Sequence, residues 1–102
     1  MAYTSKVPTF QVTDSIDPAR LREPPEFAGN YDPHVWFDVS LWKTVAQRIH
    51  AIFTEIDPTH AEYYASRAAN YLQEMDAMHA YAEDRVASIP EGNRILVTAH
   101  DA

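Results

Sequence analysis

Between positions 40 and 56, apolar residues recur every three or four positions, which is the spacing of one face of an α-helix. This stripe consists of Leu41, Val45, Ile49, Ile52 and Ile56, with Trp42 and Phe53 beside it. Ser40 precedes the stripe, and its hydroxyl can accept a hydrogen bond from an unpaired backbone N–H. The pattern therefore predicts a helix that begins near Ser40, with Ser40 as N-cap, and ends at Asp57-Pro58.

A second helical pattern follows at once and runs to about Ala87. Proline at position 58 suits a first helical position, and Asp57 is the expected cap. No glycine or proline intrudes before Pro90. A helix from Pro58 to Ala87 would be about 45 Å long at about 1.5 Å per residue, whereas mean helices have about 11–12 residues. Such a helix suits a connection between two lobes better than a place in one small core.

The segments outside the two helices are predicted to be strands and loops. Residues 7–16 are rich in Val, Thr and Phe and predict a short strand, and residues 17–33 predict a long proline-rich loop. After a turn at residues 89–93, the apolar run 94–98 (RILVT) predicts a strand that is buried on both faces. The predicted fold class is an α/β fragment, predominantly helical, with a long connecting helix flanked by short strands.

Most of the aromatic residues are also assigned to the core by their helical spacing. These residues are Trp36, Phe37, Trp42, Phe53, Tyr63, Tyr64 and Tyr71. No basic residues are interleaved with them as they would be in a nucleic-acid stacking surface.

Composition and charge exclude several functional classes. The chain has 102 residues, 46% of them apolar, with 15 acidic and 8 basic residues and a net charge of −7. This balance argues against nucleic-acid binding and against a polybasic membrane-surface role. The chain has no cysteine, so disulfides and thiolate metal sites are excluded and the five histidines are the only candidate nitrogen ligands. The first residues lack the apolar core of a signal peptide, and no stretch reaches the roughly 20 apolar residues of a membrane span.

Two histidines stand where a bound ligand is expected. His34 lies where the proline-rich loop ends, with Asp32 and Asp38 near it in sequence, and His100 follows the predicted strand 94–98 beside Asp101. Ligands of α/β sheets bind beyond the carboxyl ends of strands, and a neighbouring carboxylate can orient a metal-binding imidazole. A histidine beside an aspartate is also commonly a surface or structural residue. Because 66 positions separate the two histidines, only tertiary structure could bring them together.

The other three histidines lie on the predicted helices and have a simpler interpretation. His79 is spaced three residues from Asp76 and four from Glu83, so each pair could share one helix face. We interpret His50, His60 and His79 as residues of solvated helix surfaces.

Two segments taken together resemble a known family. Residues 31–38 (YDPHVWFD) resemble the Asp-Pro-His-x-Trp segment of the zinc and manganese substrate-binding proteins of bacterial ABC importers, and residues 94–102 (RILVTAHDA) resemble a second segment of that family. The Asp57-Pro58 break and the tyrosines and asparagine of the long helix fit the same pattern. The similarity extends from about Phe10 to Ala102.

The resemblance implies a protein of two α/β lobes that are joined by one long rigid helix, with the metal held between them. Residues 1–57 would be the end of the first lobe, residues 58–88 the linking helix, and residues 89–102 the first strand of the second lobe. His34 and His100 would be metal ligands, with Asp32, Asp38 and Asp101 as candidates for orienting them. The family's other histidine and its late acidic ligand have no counterpart here, so the chain is expected to be an internal fragment with an incomplete site.

The resulting hypothesis is a periplasmic or membrane-anchored extracellular protein that captures Zn²⁺ or Mn²⁺ for an ABC transporter permease and is not an enzyme. Histidine at position 100, where some manganese-type members carry glutamate, slightly favours zinc. Uncovered apolar surfaces predict self-association of the fragment. Two alternatives stay open: a helical interaction module without metal, and a phosphohydrolase in which His100-Asp101 would help to activate water.

Overall fold

The computed structural model describes residues 7–99, and this part of the chain is predominantly helical. The two α-helices are α1 (Val39–Ile56) and α2 (Ala61–Ala87). Short 3-10 turns precede, separate and follow them, at Pro18–Arg20, Pro25–Phe27, Val35–Phe37, Pro58–His60 and Glu91–Asn93. The predicted order of a proline-rich loop, a first helix and a much longer second helix is thus confirmed.

Helix α1 begins at a different cap from the one that the sequence predicted. One carboxylate oxygen of Asp38 accepts hydrogen bonds from the backbone N–H groups of Ser40 at 2.9 Å and Leu41 at 3.4 Å, and from the Ser40 hydroxyl at 2.6 Å. The prediction of Ser40 as N-cap is therefore wrong by two residues. Asp38 is favoured because its charge also complements the positive end of the helix dipole.

A sharp corner at Asp57-Pro58 joins α1 to α2. The last turn of α1 closes with the Asp57 N–H donating to the Phe53 carbonyl at 2.9 Å. The chain then makes the 3-10 turn Pro58–His60 before α2 starts at Ala61, so the predicted second helix is confirmed except for its first three residues. Asp57 occupies the N-cap position before Pro58, as predicted, but of the 3-10 turn and not of α2, and it makes no side-chain cap bond there. The two helices pack against each other, and the Lys43 ammonium pairs with the Asp76 carboxylate across them.

The core lies between α1 and the loop that precedes it. Its buried members are Ile16, Val35, Leu41 and Val45, with the partly buried residues Val12, Leu21 and Trp42 around them. Farther along, Ile52 of α1 and Met75 of α2 are also buried. Burial thus confirms three positions of the predicted α1 stripe, namely Leu41, Val45 and Ile52.

Some predicted core positions lie at the surface. Ile49 and Ile56 of the α1 stripe are exposed, as are Trp36, Phe37 and the aromatic residues Phe53, Tyr63 and Tyr71. Contacts exist at some of these positions, as between the rings of Phe53 and Tyr64, but each of these side chains keeps more than a third of its surface exposed. For these positions the prediction of core packing is wrong.

The two predicted strands are absent from the described residues. Residues 7–16 form irregular structure and turns, with the Ile16 N–H donating to the Thr13 carbonyl at 3.2 Å. Residues 94–98 have no regular secondary structure, and Leu96 and Val97 are each 88% exposed. A β-strand is stabilised by hydrogen bonds to a neighbouring strand, and neither segment has such a neighbour between residues 7 and 99. Helices form without that requirement because their bonds are internal. Within the same residues, no helix is both long and apolar enough to cross a membrane.

Candidate metal site around His34

The loop that carries His34 is fixed to the core on both sides of the histidine. The Asp32 N–H donates to the Arg22 carbonyl at 2.8 Å, and the Val35 N–H donates to the Pro33 carbonyl at 2.9 Å. The side chain of Val35 is 6% exposed and belongs to the buried cluster. His34 is therefore held by a packed neighbour, although it lies in a segment that the sequence marks as a loop.

The Asp32 carboxylate contacts His34 twice through a single oxygen. Asp32 Oδ1 accepts a hydrogen bond from the His34 backbone N–H at 2.9 Å and lies 2.7 Å from the imidazole Nδ1. Both side chains are largely buried, at 13% exposure for His34 and 12% for Asp32. An ionised carboxylate can only accept, so Nδ1 carries the proton and Nε2 carries the lone pair in the neutral ring. A metal-ligating histidine usually has this arrangement.

The protonation of Asp32 is controlled by the same contacts. The hydrogen bond from the His34 backbone N–H lowers the pKa of Asp32 from its usual 3.8. Partial burial acts in the opposite direction, whereas the imidazole hydrogen bond and the charges of His34 and Arg22 lower the pKa further. Asp32 therefore stays ionised at neutral pH and can hold the orientation of the ring.

Aromatic rings and a cleft surround the imidazole. The Trp36 ring meets His34 edge-on with centroids 5.3 Å apart, and the Phe27 ring is tilted at 6.4 Å. A cleft of about 430 Å³ opens beside the histidine and is lined by Arg20, Leu21, Arg22, Asp32, His34, Val35, Phe37, Asp38 and Leu41. The rings limit the directions in which the imidazole can turn.

Asp38 also lines this cleft, but its carboxylate is engaged elsewhere. It caps α1, as described above, and lies 3.8 Å from the Arg20 guanidinium. Partial burial would raise the pKa of Asp38, but the hydrogen bonds from Ser40 and Leu41 and the charge of Arg20 outweigh it and lower the pKa. Of the two carboxylates that the sequence offered for orienting His34, Asp32 is the one in contact with it.

The other two predicted site residues, His100 and Asp101, lie outside the described residues. The predicted meeting of His34 with His100 therefore stays a prediction. Among residues 7–99, no group of three or more histidine and acidic side chains is arranged to hold a metal ion.

Of the three remaining histidines, His60 and His79 each contact one carboxylate on or near the helices. His79 Nε2 lies 3.4 Å from Glu83, which is the predicted four-residue pair, whereas Asp76 pairs with Lys43 instead. His60 is 63% exposed, and its Nδ1 lies 2.8 Å from Asp57 Oδ2. These contacts fit the interpretation of His60 and His79 as helix-surface residues.

One polar cluster was not anticipated from the sequence. The Tyr64 hydroxyl donates a 2.6 Å hydrogen bond to the same Asp57 oxygen that contacts His60. This bond is the main cause that lowers the pKa of Asp57, and it raises the pKa of Tyr64. In the sequence, only the spacing of Asp57, Pro58 and Tyr64 could have indicated this cluster.

Comparison with known proteins identifies the group to which these features belong. The family described as "Zinc-uptake complex component A periplasmic" matches residues 1–102. The manganese-binding lipoprotein MntA of Bacillus subtilis is 39% identical over 72 residues, which are 71% of this chain and 24% of that protein. The iron-binding protein YfeA of Yersinia pestis is 35% identical over 96 residues, which are 94% of this chain and 30% of that protein.

The arrangement of the helices has a counterpart among solved structures. The periplasmic zinc-binding protein TroA from Treponema pallidum superposes with a TM-score of 0.83 at 33% identity, over 89% of this chain and 32% of that one. The chain thus spans about a quarter to a third of the length of these relatives. The predicted fold class, a mainly helical part of this two-lobed fold with a long helix, is confirmed. The sequence match and the superposition agree, and the chain belongs to the family of periplasmic zinc-uptake complex component A proteins.

Proposed function

We propose that this chain is part of a substrate-binding protein that captures Zn²⁺ or Mn²⁺ outside the cytoplasmic membrane and delivers it to an ABC importer. His34 and His100 are the proposed ligands. Asp32 orients His34, and Asp101 is assigned the same role for His100. The contact between Asp32 and His34 is the observation that carries the proposal, because both nitrogen positions of the ring then have defined roles.

The proposed division of the chain follows from the position of the long helix. Residues 1–57 form the end of the first lobe, residues 58–88 the linking helix, and residues 89–102 the beginning of the second lobe. In support, the corner at Asp57-Pro58 separates α1 from α2, and α2 ends at Ala87. His34 and His100 would then approach the metal from opposite sides of the cleft between the lobes.

The choice of metal rests on ligand chemistry and on the relatives. Their names specify manganese for MntA, zinc for TroA and iron for YfeA. Two imidazoles suit zinc, but imidazole also binds iron and other transition metals. We therefore propose Zn²⁺ or Mn²⁺ as cargo, with a slight preference for zinc.

The proposed location and partner also follow the relatives. The Streptococcus mutans relative is named a metal ABC transporter substrate-binding lipoprotein, and MntA is named a lipoprotein. We propose that the whole protein acts in the periplasm or on the outer surface of the membrane and passes metal to a permease. Capture and release need no bond-making chemistry, since protonation of the imidazoles in acid would release the ion. The proposal therefore assigns no enzymatic activity.

The test is calorimetric titration of the chain with Zn²⁺ and with Mn²⁺. A closed zinc site has about four ligands, whereas this chain offers two, so we expect weak binding unless copies share their histidines. The variant His34→Ala/His100→Ala should lose that binding. Binding that persists in the double variant would contradict the assignment of these ligands.

His79→Ala is the matched control for this titration. Its imidazole lies beside Glu83 on an exposed helix face and could bind zinc adventitiously. The proposal predicts that His79→Ala binds metal as the wild type does. A loss of binding in His79→Ala alone would mean that the observed binding comes from the helix surface.

A second role for the isolated chain is self-association, and the exposed apolar residues favour it. Tyr81 is 62% exposed and Val86 is 52% exposed on α2, and Ile95 is 79% exposed beyond it. Exposed apolar side chains can promote association when they combine into a patch. Sedimentation at several concentrations, with and without zinc, would distinguish association through these surfaces from association through shared metal. The phosphohydrolase alternative depends on His100 and Asp101, which lie outside the described residues.

A further inference from the structure

The two ends of α2 are each held by a side-chain contact that crosses the boundary of the helix. At the first end, the Asp57 carboxylate stands in the corner between the helices and accepts the Tyr64 hydroxyl at 2.6 Å. At the second end, the Arg94 guanidinium reaches back over the turn after the helix. Its Nε donates to the Ile89 carbonyl at 2.8 Å, and its terminal nitrogen donates to the Ala87 carbonyl at 3.3 Å.

We call the contacts at the beginning and at the end of α2 the first and the second joint. At the first joint, one carboxylate oxygen of Asp57 contacts two other residues of the corner. Asp57 belongs to the turn, Tyr64 lies in the first turn of α2, and His60 Nδ1 approaches the same oxygen at 2.8 Å. The Tyr64 ring also packs against Phe53 in the last turn of α1, with centroids 5.3 Å apart. Rotation of α2 about the corner would break the hydrogen bond and the ring contact together.

The second joint satisfies groups that a helix end leaves unpaired. The last carbonyls of a helix have no partner within it, and a cation is favoured at this end by the helix dipole. Arg94 meets both requirements, and it is the first residue of the segment that leads to His100. The guanidinium therefore ties the direction of this segment to the axis of α2.

A small error at either joint would be amplified along the helix. The 27 residues of α2 extend over about 40 Å at about 1.5 Å per residue, so a rotation of about 5° at one end moves the other by about 3.5 Å. Metal sites tolerate ligand distances within only about 0.2 Å of their usual values. A long connecting helix can hold two ligands in register only when both of its ends are fixed.

We propose that Asp57 with Tyr64 at one end of α2, and Arg94 at the other, are positioning residues that fix the direction in which the chain enters and leaves the linking helix. Their consequence for metal binding rests on the function proposed above, because it assumes that His34 and His100 share one ion. Their effect on helix direction does not depend on any metal.

The first joint can be tested by measuring distances between spin labels in the metal-free chain. The chain has no cysteine, so labels attach only at introduced sites, and the exposed positions Gln47 on α1 and Asp84 on α2 are suitable. In this doubly labelled background, Tyr64→Phe should shift or broaden the distance distribution by about 3 Å, the displacement that a rotation of about 5° would produce over this length. Tyr63→Phe removes the neighbouring hydroxyl and should leave the distribution unchanged.

The aspartate provides a conservative variant that separates positioning from general destabilisation. Asp57→Asn keeps an oxygen that can accept from Tyr64 and should retain the wild-type distribution, whereas Asp57→Ala should reproduce the effect of Tyr64→Phe. Circular dichroism establishes that each variant retains its helices. Unchanged distributions in both Tyr64→Phe and Asp57→Ala would overturn the assignment of the first joint.

The second joint is tested with labels at Gln73 and at Leu96, which is 88% exposed. Arg94→Gln should broaden this distribution, and Arg85→Gln, which removes the same charge within α2, should not. Identical distributions for the two variants would overturn the role of Arg94. Because these measurements use no metal, a negative result is distinct from a failure of the chain to bind zinc or manganese.

Discussion

The first 19 residues of α2 and its last eight are equally helical but differ in how much of their surface is covered. From Ala61 to His79, one residue in every three or four is partly or fully buried, including Met75 at 6% exposure. From residue 80 to residue 99, every residue is exposed. Helix α1 has 18 residues and α2 has 27, so about nine residues of α2 extend beyond its neighbour. Because Lys43 near the beginning of α1 pairs with Asp76, burial in α2 ends near the level at which α1 begins.

The difference in exposure along α2 shows that a segment can form a helix without being buried. The last eight residues of α2 include the apolar residues Tyr81 and Val86, yet these side chains are 62% and 52% exposed. A helix in a protein is usually stabilised by packing of its apolar face. The last eight residues of α2 should consequently be its less stable part, and substitutions in packed and exposed regions of the chain should have unequal effects.

The largest expected difference comes from two leucines, one in the packed core around α1 and one in the exposed segment after α2. Leu41 is 8% exposed in the core and Leu96 is 88% exposed beyond α2. Leu41→Ala should lower the free energy of unfolding by about 3 kcal/mol because it removes buried methyl groups and leaves a cavity. Leu96→Ala should change it by no more than about 0.5 kcal/mol. Urea denaturation measures both values, and equal effects would contradict the described distribution of burial.

The next prediction concerns the residue that orients His34. Asp32→Asn replaces the ionised acceptor beside Nδ1 with an amide and should reduce metal affinity by about 10-fold to 100-fold, as loss of a ligand-orienting carboxylate does. Competition with a chelating dye would measure the affinity. Asp14→Asn is the control, because Asp14 lies in the same half of the chain but pairs with Arg48. Equal losses in the two variants would point to a general charge effect.

A smaller effect separates the predicted cap of α1 from the observed one. Asp38→Ala should destabilise the chain by about 1 kcal/mol at pH 7, and Ser40→Ala should cost less, because Asp38 accepts both backbone N–H groups. The reverse order would support the cap predicted from the sequence.

The pH dependence of the same cap has a definite sign. Partial burial raises the pKa of Asp38, but hydrogen bonds outweigh it, so the folded-state pKa lies below the usual 3.8. The stabilisation is therefore present above pH 3.8 and is lost as the pH falls through the folded-state pKa. Melting curves of the wild type and Asp38→Ala should accordingly differ at neutral pH and converge in acid. A difference that grows in acid would contradict the assignment.

The smallest expected effect is at the contact between the helices. Lys43 pairs with Asp76, which is 62% exposed. Asp76→Asn should cost about 0.5 kcal/mol, and salt should reduce the cost further because exposed ion pairs are screened. Asp84→Asn makes the same change of charge within the last eight residues of α2, where every residue is exposed, and should have no measurable effect. Thermal melting at low and high salt would compare the two variants.

Helical positions could be predicted from the sequence, whereas the cap of α1 and the cluster of Asp57, His60 and Tyr64 could not. The stripe Leu41, Val45 and Ile52 was identified because helical periodicity is a local property. Both Asp38 and Ser40 can cap a helix, and the sequence alone does not show at which of them the helical backbone begins. The structure has Asp38 as the cap. Of the candidate site, Asp-Pro-His indicated His34, but the contact with Asp32 needed the turn that the loop makes.

The sequence by itself determined the two helices, the corner at Asp57-Pro58 and the family, because each of these depends on residues that are close together in the sequence. Only the tertiary structure decided which apolar residues are buried: Val45 is fully enclosed, whereas Ile49 on the same stripe is exposed. It also decided that residues 94–98 form no strand in the described part of the chain. The physical reason is that burial and strand pairing depend on a neighbour in space, whereas helix hydrogen bonds form within one segment.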